Sequence, residues 1–161
     1  MEYNELMKEL GAKIGLDGFE PDEDGCYRLS IDGSAVEFLE VPQSGLMDTV
    51  AKVCDLPGED NNEQLCKVLL TAMAPGGTAE AYTFFIVPEE KCVYMRRTDV
   101  LASLDVDSYF QTLENFANAL EDWRGTISDY RQVLPAINEA LEQQADETRQ
   151  FGLNADGFLK V

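Results

Sequence analysis

Apolar residues recur every three or four positions at Val106, Phe110, Leu113, Ala117, Leu120 and Ile127, and Tyr109, Phe116, Trp123 and Tyr130 widen the stripe. That spacing predicts a long amphipathic helix over about residues 105–134, with one broad face buried. Gln111, Glu114, Asn118, Glu121, Asp122 and Asp129 fall on the opposite, wet face, and Asp105 or Asp107 is placed to cap the free amides of the first turn. Pro135 has no backbone N–H, so the helix kinks or restarts there, with Ile137, Ala140 and Leu141 carrying a weaker stripe to about residue 149.

Upstream, Tyr3, Leu6, Met7, Leu10 and Ile14 predict a helix over residues 2–15. Alternation then replaces helical spacing. Tyr27, Leu29 and Ile31 alternate with Arg28 and Ser30, and Val36 and Phe38 alternate with Glu37, around the hairpin signal Asp32-Gly33, which Ser34 lengthens if it joins the turn. Leu39 and Val41 fall out of phase with Val36 and Phe38, which requires a bulge or a second face that is covered or used. Residues 46–54 fit a strand or a short helix, and β-branched Thr49, Val50 and Val53 favour the strand.

After Pro57-Gly58, the run Glu59-Asp60-Asn61-Asn62 offers caps for a helix over about residues 61–74. Its second half, with Leu65, Cys66, Val68, Leu69, Leu70 and Met73, is apolar nearly all round and needs cover on two sides, the second from another subunit. Residues 82–87 and 92–97 form a second hairpin around Pro88 to Lys91. The expected class is α+β: helix, three strands, helix, two strands and long helix, as an antiparallel twisted sheet covered by helices over residues 1–134. Residues 135–161 form a helical extension with an apolar tail at Phe151, Leu153, Phe158 and Leu159.

At 161 residues the chain supports its own core without disulfide or metal staples. Its 12 basic and 31 acidic side chains give a net charge of −19, a poor match for nucleic-acid phosphates or anionic membranes. Acidity either maintains solubility alone or keeps soluble a protein that exposes apolar surface to a partner. No basic-then-apolar leader and no long apolar run is present, so a soluble, unexported protein without membrane insertion is expected. The four cysteines, Cys26, Cys54, Cys66 and Cys92, lack CxxC spacing and read as small buried hydrophobes in a reducing cytosol.

Histidine is absent, which removes Ser-His-Asp and Cys-His catalysis and imidazole metal sites. Asp22, Glu23 and Asp24 do not have the alternate spacing of a calcium loop, and Gly76-Gly77 is not followed by the lysine of a phosphate-binding loop. Chance proximity is the better account of any carboxylate pair among so many acids. No enzyme activity and no cofactor are expected.

This order of elements resembles the class I, CesT-like type III secretion chaperones of the Tir chaperone family. The stretches carrying the resemblance are residues 6–16 (Leu-Met-Lys-Glu-Leu-Gly-Ala-Lys-Ile-Gly-Leu), Leu29-Ser30-Ile31-Asp32-Gly33, Leu69-Leu70-Thr71-Ala72-Met73, Gly77-Thr78 and Leu104-Asp105, followed by Phe116, Ala119 and Trp123. Ala72-Met73 departs from the family pattern in lacking an asparagine after the Leu-Leu pair, and the chain beyond Tyr130 is unusually long.

The resemblance implies a bacterial cytoplasmic homodimer that holds the N-terminal region of a secreted effector in extended form before export, without ATP or metal. The first helix and hairpin supply the effector-binding candidates: Leu6, Leu10, Ile14, Leu29, Ile31, Val36, Phe38, Leu39 and Val41. Leu65, Leu69, Leu70, Met73, Tyr82, Phe84 and Ile86 are the dimer-interface candidates. The alternative is an acidic regulatory adaptor, or a nucleic-acid mimic that occupies a folded or basic partner.

Overall fold

The computed structural model describes residues 2–56, 62–79 and 81–156. The chain divides into two compact units, residues 1–124 and 125–161. Helix α1 (Tyr3–Lys13) leads into strands β1 (Tyr27–Ile31), β2 (Ser34–Val41) and β3 (Leu46–Asp55). Helix α2 (Asn62–Ala72), strands β4 (Thr83–Val87) and β5 (Cys92–Val100), a 3-10 turn at Leu101–Ser103 and helix α3 (Val106–Asp156) follow. The expected order of elements is observed, and the ambiguous stretch 46–54 is a strand.

The five strands pair antiparallel in the order β1-β2-β3-β5-β4, which leaves β1 and β4 at the edges. β3 lies at the centre, with Met47, Thr49 and Ala51 buried on one face and Val50 on the other. Burial on both faces is why its sequence lacks a clean alternation. Ile31 pairs with Ser34, so the hairpin loop is the two residues Asp32 and Gly33 alone, whose φ angles of 49° and 78° are those of a tight primed turn.

β2 keeps continuous register with both neighbours, so no bulge shifts Leu39 and Val41. They lie on the sheet face opposite Val36 and Phe38, and Leu39 is exposed. The register shift falls instead between Lys52 and Cys54, where β3 meets β5.

Tyr27, Val36, Phe38, Met47, Ala51 and Met95 point to the helix-covered face and are buried. Tyr3 of α1 donates its hydroxyl to the Phe38 carbonyl at 2.6 Å, and the Tyr109 hydroxyl of α3 meets Thr49 Oγ1 at 2.6 Å. Burial pushes both phenols well above their ordinary ionisation range, so they act as neutral hydrogen-bonding groups. Phe19, from the loop after α1, packs on Tyr27 and Phe38 with ring centroids 5.1 and 6.3 Å apart. Asp22 closes that loop by accepting the amides of Asp24 and Cys26, both at 3.0 Å.

Asp105 is the cap of α3. Its Oδ1 accepts the amides of Asp107 and Ser108 at 3.0 and 2.9 Å, while Ser108 Oγ faces the Asp105 amide at 3.3 Å, a reciprocal arrangement like a capping box. Helical structure runs unbroken through Pro135, so the helix does not restart there. Pro135 forgoes one backbone hydrogen bond there, and good helix formers follow it in the sequence, among them Ala136, Ala140, Leu141 and Glu142. Glu59, Asp60 and Asn61, the side chains of Phe151 and Leu153, and all of Phe158 and Leu159 lie outside the described residues.

Candidate functional site

The tight Asp32-Gly33 turn makes Ile31 and Ser34 a hydrogen-bonded pair. Antiparallel pairing then alternates, so Leu29 and Tyr27 bond to β2 while the N–H and C=O of Arg28 and Ser30 point away from it, along the edge of the sheet. Beside this edge runs an open groove of about 700 Å³. Its apolar lining comes from Ile14 and Leu16 at the end of α1, Leu29 and Ile31 of β1, and Phe110, Leu113 and Ala117 of α3. Asp32, Gln111, Glu114 and Asn118 supply its polar rim.

A smaller depression of about 220 Å³ shares Ile31, Asp32 and Ala117 with that groove and extends it to Leu120, Glu121 and Arg124. The Arg124 guanidinium donates to Ser34 Oγ and to the Lys52 carbonyl. It thereby holds α3 against the hairpin end of β2 and the far end of β3.

Of the effector-binding candidates, Ile14, Leu29 and Ile31 come together on this groove, each half-buried. Leu6, Leu10, Val36 and Phe38 are 0% exposed and form the core beneath it. Leu39 and Val41 lie on the other face of the sheet, away from the groove. In the sequence Phe110, Leu113 and Ala117 belong to the buried stripe, and Leu16 closes the 6–16 stretch of the family pattern. The available signal was the width of that stripe, which exceeds what the short strand β1 covers.

A second apolar surface lies between α2 and β4. Cys66, Leu69, Leu70, Met73, Phe84, Phe85, Ile86 and Val93 line a depression of about 240 Å³, and Leu70 at its rim is 64% exposed. Five of the interface candidates therefore meet: Leu69, Leu70, Met73, Phe84 and Ile86. Leu65 is instead buried within its own protomer. Tyr82 packs on Phe116, with ring centroids 5.9 Å apart, and stays apart from this surface. Phe84 closes the floor of the depression and meets Trp123 edge-on at 5.0 Å.

The second surface carries one thiol, Cys66, among otherwise apolar side chains. Burial pushes the Cys26 thiol upward, away from thiolate chemistry. Tyr94, pushed up to about 12 by its hydrogen bond to Glu90, stays protonated. Among the described residues no cluster of three or more Cys, Asp or Glu side chains is arranged to hold a metal ion, and no helix is long and apolar enough to cross a membrane. The arrangement offers a hydrogen-bonding strand edge, an apolar trough and an exposed apolar helix face, which is the equipment of a protein that binds chain segments.

The model of the Tir chaperone protein (CesT) family matches residues 5–124. The chain belongs to that family. The match ends where the first compact unit of the chaperone ends, at Arg124. No curated protein matches the chain, whereas 22 chains among solved structures do.

The ExsC-ExsE complex is similar at 22% identity and a TM-score of 0.61, over 75% of this chaperone and 90% of that chain. The HopA1-SchA chaperone-effector complex is similar at 14% identity and a TM-score of 0.62, over 76% and 93%. The Yersinia pestis type III secretion chaperone SycH, in complex with a stable fragment of YscM2, is similar at 14% identity and a TM-score of 0.58, over 76% and 99%. At these identities the likeness shows a shared fold.

Proposed function

We propose that this Tir-family chaperone binds the N-terminal region of a secreted effector in extended form and keeps it soluble and competent for type III export from the bacterial cytoplasm. Holding the segment needs no catalytic step and no cofactor. The observation that carries this reading is the edge of β1, with the backbone groups of Arg28 and Ser30 turned outward beside an apolar groove. An extended client adds a strand there and seats alternate side chains on Leu29, Ile31, Phe110 and Leu113. The likeness to the HopA1-SchA chaperone-effector complex and to the type III secretion chaperone SycH supports the same reading.

The functional unit in this reading is a homodimer that covers the α2–β4 surface. Each leucine buried there contributes roughly 1.5–3 kcal/mol. Salt screens the repulsion between acidic protomers over roughly 8 Å at physiological strength.

The test is co-expression with an N-terminal fragment of a secreted protein encoded beside this chain. The chaperone is expected to hold that fragment soluble and co-purify with it, and the fragment alone to aggregate. A fragment equally soluble without the chaperone, and not retained by it, would overturn the reading.

A further inference from the structure

The groove beside β1 has a charge pattern that bears on which segments it accepts, an inference that rests on β1 being the client edge. Across the trough from β1, α3 presents Gln111, Glu114, Asn118 and Glu121 at helical spacing, and Asp32 stands at the hairpin end. Three carboxylates, those of Asp32, Glu114 and Glu121, therefore rim an apolar floor. Gln111 donates to Glu114 Oε2 at 3.0 Å, a contact with a neutral amide that brings no opposing charge to the rim.

Two cations stand close by, Lys13 near the groove-lining Phe110 and Arg124 on the same depression as Asp32 and Glu121. Lys13 pairs with Asp107 and sits 5.3 Å from the Phe110 ring centroid, and Arg124 donates to Ser34 and Lys52. Arg28 lies on the other sheet face, bridging Asp22 and Glu37 at 2.6 and 3.0 Å.

A strand added through Arg28 and Ser30 turns every second side chain into the groove. We propose that the groove selects a segment with two apolar residues at alternate positions, bracketed on the same face by Lys or Arg, and rejects the same segment bracketed by Asp or Glu. The apolar pair meets Leu29, Ile31 and Leu113. The bracketing side chains come level with the rim, where long cationic side chains lay their stems on apolar surface and pair with carboxylates. An acid there faces three carboxylates against the single guanidinium of Arg124, whose N–H groups are already held by Ser34 and the Lys52 carbonyl.

The test uses two labelled synthetic peptides, Lys-Thr-Leu-Ser-Val-Thr-Lys and Glu-Thr-Leu-Ser-Val-Thr-Glu, titrated against the full chain by fluorescence anisotropy. The lysine peptide is expected to bind about tenfold more tightly at low salt, as suits two or three exposed charge contacts. That gap should narrow in high salt and nearly vanish in the triple variant Asp32→Asn, Glu114→Gln, Glu121→Gln. Ser30→Pro removes an outward amide without breaking a β1–β2 bond and should abolish binding of both peptides.

Equal binding of the two peptides would overturn the charge rule and leave the strand site standing. An undiminished preference in the triple variant would also overturn it, by tracing the preference to the chain's overall charge. No binding of either peptide, or wild-type binding by a Ser30→Pro variant with unchanged circular dichroism, would remove the β1 site and the charge rule together. A changed light-scattering mass in the triple variant would make the groove a self-interface and defeat the proposal.

Discussion

Gly77 and Gly11 are both hemmed in, by neighbours of different kinds. A Cβ on Gly77 would lie 2.2 Å from the Ala72 carbonyl oxygen and 2.8 Å from that of Ala74, backbone atoms at the end of α2 that have nowhere to go. A Cβ on Gly11 would meet Phe19 Cβ at 2.7 Å, a side-chain atom that gives way only if the loop carrying it moves. Gly77→Ala should therefore cost about 1–3 kcal/mol by overpacking, whereas Gly11→Ala recovers up to about 1 kcal/mol of helix propensity and should cost less. Urea unfolding of both variants checks the order, and a more stable Gly77→Ala variant would contradict it. The Gly77-Thr78 motif was legible as part of the family pattern. Its reason, carbonyls crowding the position of a side chain, is a matter of tertiary geometry and was not. The Thr49–Tyr109 hydrogen bond was hidden for the same cause, since its partners stand sixty residues apart. Tyr109→Phe strands a buried hydroxyl at a cost of about 1–3 kcal/mol. Adding Thr49→Val should cost less than the two single changes summed, and strict additivity in a thermal-melt cycle would refute the pairing.

Among the elements, α3 depends on its cap. The backbone amides of Ser108 and Asp107, with the Ser108 hydroxyl, hold the Asp105 carboxyl below the usual carboxylate range. A group depressed in the folded state contributes stability above its unfolded value of about 3.9, and that contribution fades as pH falls through the folded value. The melting temperature of Asp105→Ala should fall below wild type at pH 6, and the gap should narrow progressively as pH falls below about 4. A gap constant across that window would mean the carboxylate is no cap. Element type was readable wherever a pattern is local, as in the Asp32-Gly33 turn and the period of α3. Strand order was not, because it depends on pairings distant in sequence. Leu29 and Ile31 look like Val36 and Phe38 in the sequence, yet β1 falls at an edge and β2 inside the sheet, so one pair lines a groove and the other is core.

At the scale of the molecule, a charge of −19 accompanies two open apolar surfaces, a combination suited to a chaperone that must stay dispersed while empty. If the α2–β4 surface joins two protomers, Leu70→Asp should give a light-scattering mass of one chain at micromolar concentration while circular dichroism stays unchanged. A variant that keeps the mass of two chains would move the interface elsewhere. The double apolarity of α2 was visible in the sequence; the depression it shares with β4 emerged only from the packing. The central claim is that the client lies along β1, and hydrogen–deuterium exchange on the chaperone with and without a bound effector N-terminal fragment tests it most directly. Binding should slow exchange at the outward amides of Arg28 and Ser30 and across the groove-lining turns of α3. Protection confined to the opposite sheet face around Leu39 and Val41, with residues 27–31 unchanged, would contradict it.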